Sequence, residues 1–264
     1  MDVFSGFLVG LLQGVTEWLP ISSSGQSMLV ALNFLGLDSS NAFSLALYLH
    51  FGTLLAVLVK FRGDLEGVVR LLPRFREDSL TKFLVYSTVF TGVFGLPLYI
   101  LLKGSFFDWQ GEFFTGLIGL MLVFTGLILG FSRELVGVRG VSALRFTDTI
   151  WAGLAQSVAI LPGVSRSGLT VAVLLARRVD AATALRLSFL MSVPAVFGAV
   201  LLEAVTEGFS SLGVDVVVAG IISSFVFGYL MIDVLMRMSR RIRFDLFCVI
   251  FGLLAVVVAV VPYL

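Results

Sequence analysis

Residues 16–26 read Thr16-Glu17-Trp18-Leu19-Pro20-Ile21-Ser22-Ser23-Ser24-Gly25-Gln26, a carboxylate followed by three consecutive hydroxyls. Gln13 stands four residues before Glu17, so on a helix the two share one face. A second polar run, Pro162-Gly163-Val164-Ser165-Arg166-Ser167-Gly168-Leu169-Thr170, sets an arginine between serines. At the start of a helix such a run is an anion site, because free N–H groups, the positive dipole end and hydroxyl caps all face one way. Arg166 adds a planar fork that suits two phosphate oxygens. A carboxylate or a serine supplies the complementary chemistry, proton transfer or attack. The two runs together point to an anionic, phosphorylated ligand.

These groups sit in an apolar chain. It has 264 residues, of which 58% are hydrophobic and only 13% charged, with a mean hydropathy of +1.06. A soluble domain needs far more charge to cover its surface. Several windows of about 18 or more residues carry almost no charge, the signature of membrane helices. The expectation is an all-α polytopic membrane protein; a membrane barrel would show short alternating strands instead. A net charge of +1 gives no basic field for nucleic acid. One cysteine, Cys248, and one histidine, His50, exclude an internal disulfide, a cysteine-based zinc site and multi-histidine metal sites. Cys248 reads as a small apolar residue inside a helix. The N-terminus lacks a basic region, so no cleaved signal peptide is expected, and the chain reads as one membrane domain.

Charge places the elements that must position the two runs. Lys60, Arg62, Arg70, Arg74, Arg76 and Lys82 crowd one break; Arg133, Arg139 and Arg145 mark another. Arg177, Arg178 and Arg186 form a third, and Arg237, Arg240, Arg241 and Arg243 the last. The alternate breaks are acidic or neutral: Asp38; Asp108 with Glu112, Lys103 being the exception; Glu203, Glu207 and Asp215. The positive-inside rule assigns the basic breaks to the cytoplasm and both termini to the outside. Stretches near 43–60, 83–102, 113–131, 185–203, 214–236 and 244–263 then cross the membrane. Residues 3–36 and 146–176 begin and end on one side, each with a Pro/Gly/Ser-rich centre. About 30 residues at about 1.5 Å each make two half-length helices and a turn, a re-entrant hairpin. Broken backbone at that depth requires a shell of protein or a water-filled cavity.

A shift of 143 positions carries Gly10, Gln13 and Val15 to Gly153, Gln156 and Val158, and Ser22, Ser24 and Gly25 to Ser165, Ser167 and Gly168. Each half, 1–132 and 133–264, is a hairpin plus three crossings. Three is odd, so the halves have opposite orientations: an inverted-topology repeat whose broken tips meet near mid-depth. Gln13, Glu17, Ser22, Ser23, Ser24 and Gln26 come from one tip, and Gln156, Ser165, Arg166, Ser167 and Thr170 from the other. Serine and glycine also mark plain close packing of membrane helices, and Glu17 with Arg166 could be a bare ion pair. A buried arginine and carboxylate are nonetheless functional candidates by default. Two classes fit: hydrolysis of a lipid-linked phosphate, and transport of an anion by alternating access. A carboxylate facing a phosphate is awkward for plain anion transport, but natural if a divalent metal bridges the two.

The run Gln13 to Gly25 resembles the first signature of the undecaprenyl-diphosphate phosphatase family, the bacitracin-resistance type: Glu or Gln, three residues, Glu, then a Pro-x-Ser-Ser run. Pro162 to Thr170 is similar to the second, Pro-Gly-x-Ser-Arg-Ser-x-x-Thr. The resemblance covers essentially the whole chain. It implies an integral membrane enzyme with ten membrane segments that converts undecaprenyl diphosphate to the monophosphate, recycling the lipid carrier for cell-wall glycans. It implies a site open to the outer face and a divalent metal such as Mg²⁺, or Ca²⁺, held at Glu17. By the same resemblance Glu17 is the essential acid with Gln13 its partner, and Ser23 is the proposed nucleophile. Arg166, with Ser165, Ser167 and Thr170, binds the diphosphate; Ser22, Ser24 and Gln26 complete the contacts. A homodimer is compatible with it, as is a flippase of a phosphorylated polyprenyl lipid.

One position departs. Family members usually close the first signature with Gly-His, and this chain has Gly25-Gln26. Glutamine can hold a phosphate oxygen or a water but cannot shuttle a proton near neutral pH. Either the histidine only positions ligand and Gln26 replaces it, or Glu17 or a metal-bound water carries the proton alone, or the chain is a weakened form. His50, about 10 Å into its helix, is a candidate substitute, although a hydrogen-bonded histidine packed between helices is its plainer reading.

Overall fold

The computed structural model describes residues 1–105, 111–132, 135, 137–206, 212–238 and 244–261. Asp108, Arg133, Glu207, Arg240, Arg241 and Arg243 lie outside the described residues. The two expected hairpins are present. The first is α1 (Val3–Thr16) and α2 (Ser23–Asn33), followed by the long helix α3 (Ser39–Lys60), the short α4 (Arg62–Leu71), α5 (Ser79–Ser105) and α6 (Gly111–Ser132). The second is α7 (Phe146–Val158) and α8 (Arg166–Ala176), followed by α9 (Ala181–Thr206), α10 (Val214–Met238) and α11 (Phe244–Val260). Five helices, α3, α5, α6, α9 and α10, are long and apolar enough to cross a membrane. Helix α11, with 17 residues, is shorter than these. Their outward side chains form an apolar belt, with Val93, Ile100, Phe124, Leu201 and Ile222 exposed. Such a surface is stable only against lipid or another apolar partner.

Helix starts follow capping chemistry. Asp2 and Asp38 accept from the N–H groups of Ser5 and Asn41 at 2.8 and 3.0 Å. Asp78 accepts from the Thr81 N–H and hydroxyl, both 2.7 Å away, and these bonds hold its carboxyl below the usual range. Both inner half-helices begin on serine caps related by the 143-residue shift. Ser22 Oγ accepts from Gly25 N–H at 3.3 Å and Ser165 Oγ from Gly168 N–H at 3.1 Å.

Small residues decide how the helices pair. Gly6, Gly10 and Gly14 of α1 press in order against Val216, Gly220 and Ser224 of α10, so these helices run parallel. Gly153 of α7 meets Ser87 and Phe90 of α5, and Ser157 meets Gly95, again parallel. Each hairpin therefore packs against a long helix of the other half, so the repeats interlock. Helix α3 runs parallel to α10 through Gly52–Ser224 and Thr53–Gly228. It runs antiparallel to α9, joined by Ser44–Glu203 at one end and Val57–Phe189 near the other. The α1 and α7 hairpins accordingly enter from opposite ends, as an inverted repeat requires. A Cβ on Gly10 would lie 2.2 Å from the Gly220 carbonyl oxygen, whereas nothing lies within 4 Å of one on Gly92. Gly10→Ala is expected to cost about 1–3 kcal/mol of stability. Thermal unfolding in detergent checks this, with Gly92→Ala, expected to be neutral, as the control.

Several charged residues from the breaks are tied into the fold. Glu203, assigned to an outer break, is fully buried in α9, where it accepts from Ser44 Oγ and, at 2.5 Å, from Tyr99 OH. The break after Lys60 contains α4, an amphipathic helix anchored by Arg186 Nε to Asp64 at 2.9 Å. The cytoplasm-assigned Arg139 and Arg177 fold onto buried Asp148 at 2.9 Å each, tying down the base of the second hairpin.

Candidate active site

The two broken tips touch. Chain breakage at the first tip follows from Pro20, and α1 gives way to α2 through Ser22, whose backbone is left-handed at φ 60°. A non-glycine residue in that region is a local strain of the kind that gathers at functional sites. At the second tip Gly163 has φ +94°, and a Cβ there would lie 2.5 Å from the Ile118 carbonyl oxygen, so only glycine fits. Gly25 packs on Gly163, Gly168 on Pro20, and Ser167 Oγ donates to the Leu19 carbonyl at 3.3 Å.

Glu17 ends α1 and is 4% exposed. Its Oε2 accepts from Gln13 Nε2 at 2.7 Å and from Ser23 Oγ at 2.5 Å, and lies 3.2 Å from His50 Nε2. Its Oε1 accepts from Arg166 Nη2 across the tip interface. Ser27, unremarked in the sequence, donates to Gln13 Oε1 at 3.2 Å and so aims the Gln13 amide nitrogen at the carboxylate. Arg166 also reaches the Ser188 carbonyl at 3.4 Å. Thr170 Oγ1 bonds the Arg166 carbonyl and Ser188 Oγ, both at 2.7 Å, which braces the start of α8 from behind.

A cavity of about 140 Å³ opens beside these groups. Glu17, Ser22, Ser23, Ser24, Ser165, Arg166 and Ser167 line its polar side, and Leu47, Ile160, Ala195, Val196 and Ala199 its apolar side. That division suits an anionic head with a hydrocarbon remainder. Of the residues singled out from sequence, Gln13 and Thr170 stand behind the wall and hold residues that form it. Gln26 is set apart: its Nε2 turns to the Ile21 carbonyl at 3.4 Å, and it is not among the lining residues. His50 does line the cavity. It is a hydrogen-bonded histidine packed between helices, as its plainer reading has it, and it also borders the tip because α3 passes directly beside it. Its Nδ1 lies 2.5 Å from the Ala46 carbonyl and its Nε2 faces Glu17. Both ring nitrogens thus lie within reach of acceptor oxygens. A single histidine inside an apolar span was the available signal.

The divalent ion implied by the resemblance does not fit as a resident of this site. Among the described residues, Glu17 is the only carboxylate lining the cavity. Four donors already address its two oxygens, about as many as a carboxylate has lone-pair directions. Among the described residues there is no group of three His, Cys, Asp or Glu side chains able to hold a metal.

What remains is a hydroxyl hydrogen-bonded to a carboxylate, next to an arginine fork at a helix N-terminus. Chemically, such a hydroxyl can attack a phosphoryl group and such a fork can hold its oxygens. The chain is 41% identical over 262 residues to a protein of Methanothrix thermoacetophila named undecaprenyl-diphosphatase, covering 99% of each chain. It is 41% identical over 262 residues to one of that name from Methanopyrus kandleri, covering 98% of this chain and 96% of the other. A third, from Methanococcoides burtonii, is 36% identical over 267 residues, covering 97% and 98%. Residues 6–257 match the family described as bacitracin resistance protein BacA, and the chain belongs to that family.

Proposed function

We propose that this protein is a membrane hydrolase that converts undecaprenyl diphosphate to undecaprenyl phosphate and inorganic phosphate, renewing a lipid carrier for cell-wall glycan synthesis. The observation that carries the reading is the 2.5 Å hydrogen bond from Ser23 to Glu17, in a cavity that also holds Arg166. The diphosphate sits on Arg166, Ser165, Ser167 and the start of α8, with its prenyl chain along Leu47, Ile160, Val196 and Ala199. Ser23 Oγ attacks the terminal phosphorus as its proton passes to Glu17. The bond to the bridging oxygen breaks, and its electron pair leaves with undecaprenyl phosphate. Water then attacks the phosphoserine and the P–Oγ bond breaks. Oγ takes back the proton from Glu17, and inorganic phosphate leaves with both water hydrogens. The basic breaks face the cytoplasm, which leaves both termini outside.

Phosphate release from undecaprenyl diphosphate in detergent micelles tests the activity. Micelles have no two sides, so a hydrolase releases phosphate there and a transporter does not. The same assay ranks the two candidates for the missing motif histidine. Gln26→His is expected to change the rate less than about 2-fold, since Gln26 lies off the cavity wall. His50→Asn is expected to lower it about 10-fold, the scale of one lost hydrogen bond to a charged group.

A further inference from the structure

Gln156 is the repeat mate of Gln13, yet its amide bonds Thr91 and Met191 rather than Glu17. It lines the cavity, and it is 5% exposed. Its amide orientation is dictated by its neighbours. Nε2 donates to the Met191 carbonyl at 3.1 Å and to Thr91 Oγ1 at 3.2 Å. A carbonyl can only accept. The Thr91 hydroxyl spends its own hydrogen on the Ser87 carbonyl at 2.8 Å, so toward Gln156 it presents a lone pair. Both neighbours are acceptors, and the amide must turn its NH₂ to them. Oε1 is thereby forced the other way, and it is a buried oxygen with no hydrogen-bond partner. Among the described residues it is the only such atom that belongs to a residue lining the cavity. An orphaned buried acceptor is costly, so its persistence points to a donor supplied by ligand.

The rest of the polar wall is rich in donors: Arg166, the serine hydroxyls and the N–H groups at the start of α8. Such a wall suits the oxygens of a diphosphate, which mostly accept. An acceptor held in place by two anchors suits an O–H group. From this we infer that Gln156 Oε1 positions the attacking water. The inference rests on the hydrolase reading and deepens it. The water oxygen forms the new P–O bond while one of its hydrogens points at Gln156 Oε1. The P–Oγ bond breaks, and Oγ recovers its proton from Glu17. Gln156 exchanges no proton; it fixes the direction of attack.

The test compares wild type with Gln156→Met, which keeps the length and removes the amide. Readouts are phosphate release from undecaprenyl diphosphate and affinity for its non-hydrolysable methylenediphosphonate analogue. The expected result is a fall in kcat of about 10²-fold, with analogue affinity within about 2-fold of wild type. Gln156→Asn keeps both amide functions but withdraws the oxygen by one methylene, and is expected to lose about 10-fold in kcat with an unchanged melting temperature. Unchanged kcat in either folded variant overturns the assignment. A loss of analogue affinity matching the loss in kcat/KM overturns it too, because the oxygen would then be holding a protonated diphosphate. No phosphate release by the wild type would remove the hydrolase reading and this assignment with it, whereas release by wild type and Gln156→Met alike removes only the assignment.

Discussion

Phosphate release by Glu17→Gln is expected to fall by about 10³-fold, within the range for loss of a general base. Glutamine matches the shape of Glu17 and keeps one acceptor oxygen, so the tip can still assemble. It cannot take the Ser23 proton, and without that transfer the hydroxyl is a poor nucleophile near neutral pH. The change also removes the negative charge beside Arg166, so affinity for a diphosphate analogue is expected to hold or to rise. That split separates catalysis from structure. A merely structural Glu17 would show its loss in melting temperature, with normal turnover in the folded fraction.

Arg166→Lys is expected to lower kcat/KM by about 10²-fold, the scale set by removing one preorganised donor from a charge-stabilising site. Lysine keeps the charge and loses the fork. Arg166 uses Nη2 on Glu17 and Nη1 on the Ser188 carbonyl, which holds the guanidinium plane and leaves further N–H groups for phosphate oxygens. A lysine ammonium can pair with Glu17 or with phosphate, but it cannot hold this orientation between them. Initial rates over a range of substrate check the effect, and an unchanged kcat/KM would remove Arg166 from the phosphate site.

The sequence made the architecture legible because its two signals do not depend on contacts. Hydropathy and arginine placement gave the hairpins, and the helices described at 3–16 and 23–33, and at 146–158 and 166–176, fall within the stretches expected to re-enter. The 143-residue repeat paired Ser22 with Ser165, which are the caps of the two inner half-helices. Contacts between distant segments were not legible. Nothing in the spacing shows that α1 packs on α10 or α7 on α5; that follows from glycines whose partners lie about 210 and 60 residues away. Glu203 read as a loop acid because a charge near a helix end usually is one; Ser44 and Tyr99, far off in sequence, supply the bonds that let it be buried.

The same reasoning applies within the site. Glu17 and Arg166 were visible as residue types that membrane interiors exclude without cause, and Ser23 through the resemblance. Gln26 drew attention because it replaces a histidine, but one turn into α2 its side chain turns back to Ile21. His50 could be placed at a depth from its helix but not at a neighbour. That required knowing that α3 runs beside the first tip. Gln156 was visible only as a repeat mate. The geometry of Thr91 and Met191, from two other helices, takes its NH₂ and leaves its oxygen without a partner.

Stereochemistry at the transferred phosphorus tests the central claim most directly. Undecaprenyl diphosphate whose terminal phosphorus is made chiral with sulfur and oxygen isotopes would be hydrolysed by the purified protein, and the configuration of the released thiophosphate read. Attack by Ser23 followed by attack of water inverts that centre twice, so net retention is predicted. Net inversion would mean that water strikes the diphosphate in one step, and would contradict Ser23 as the nucleophile.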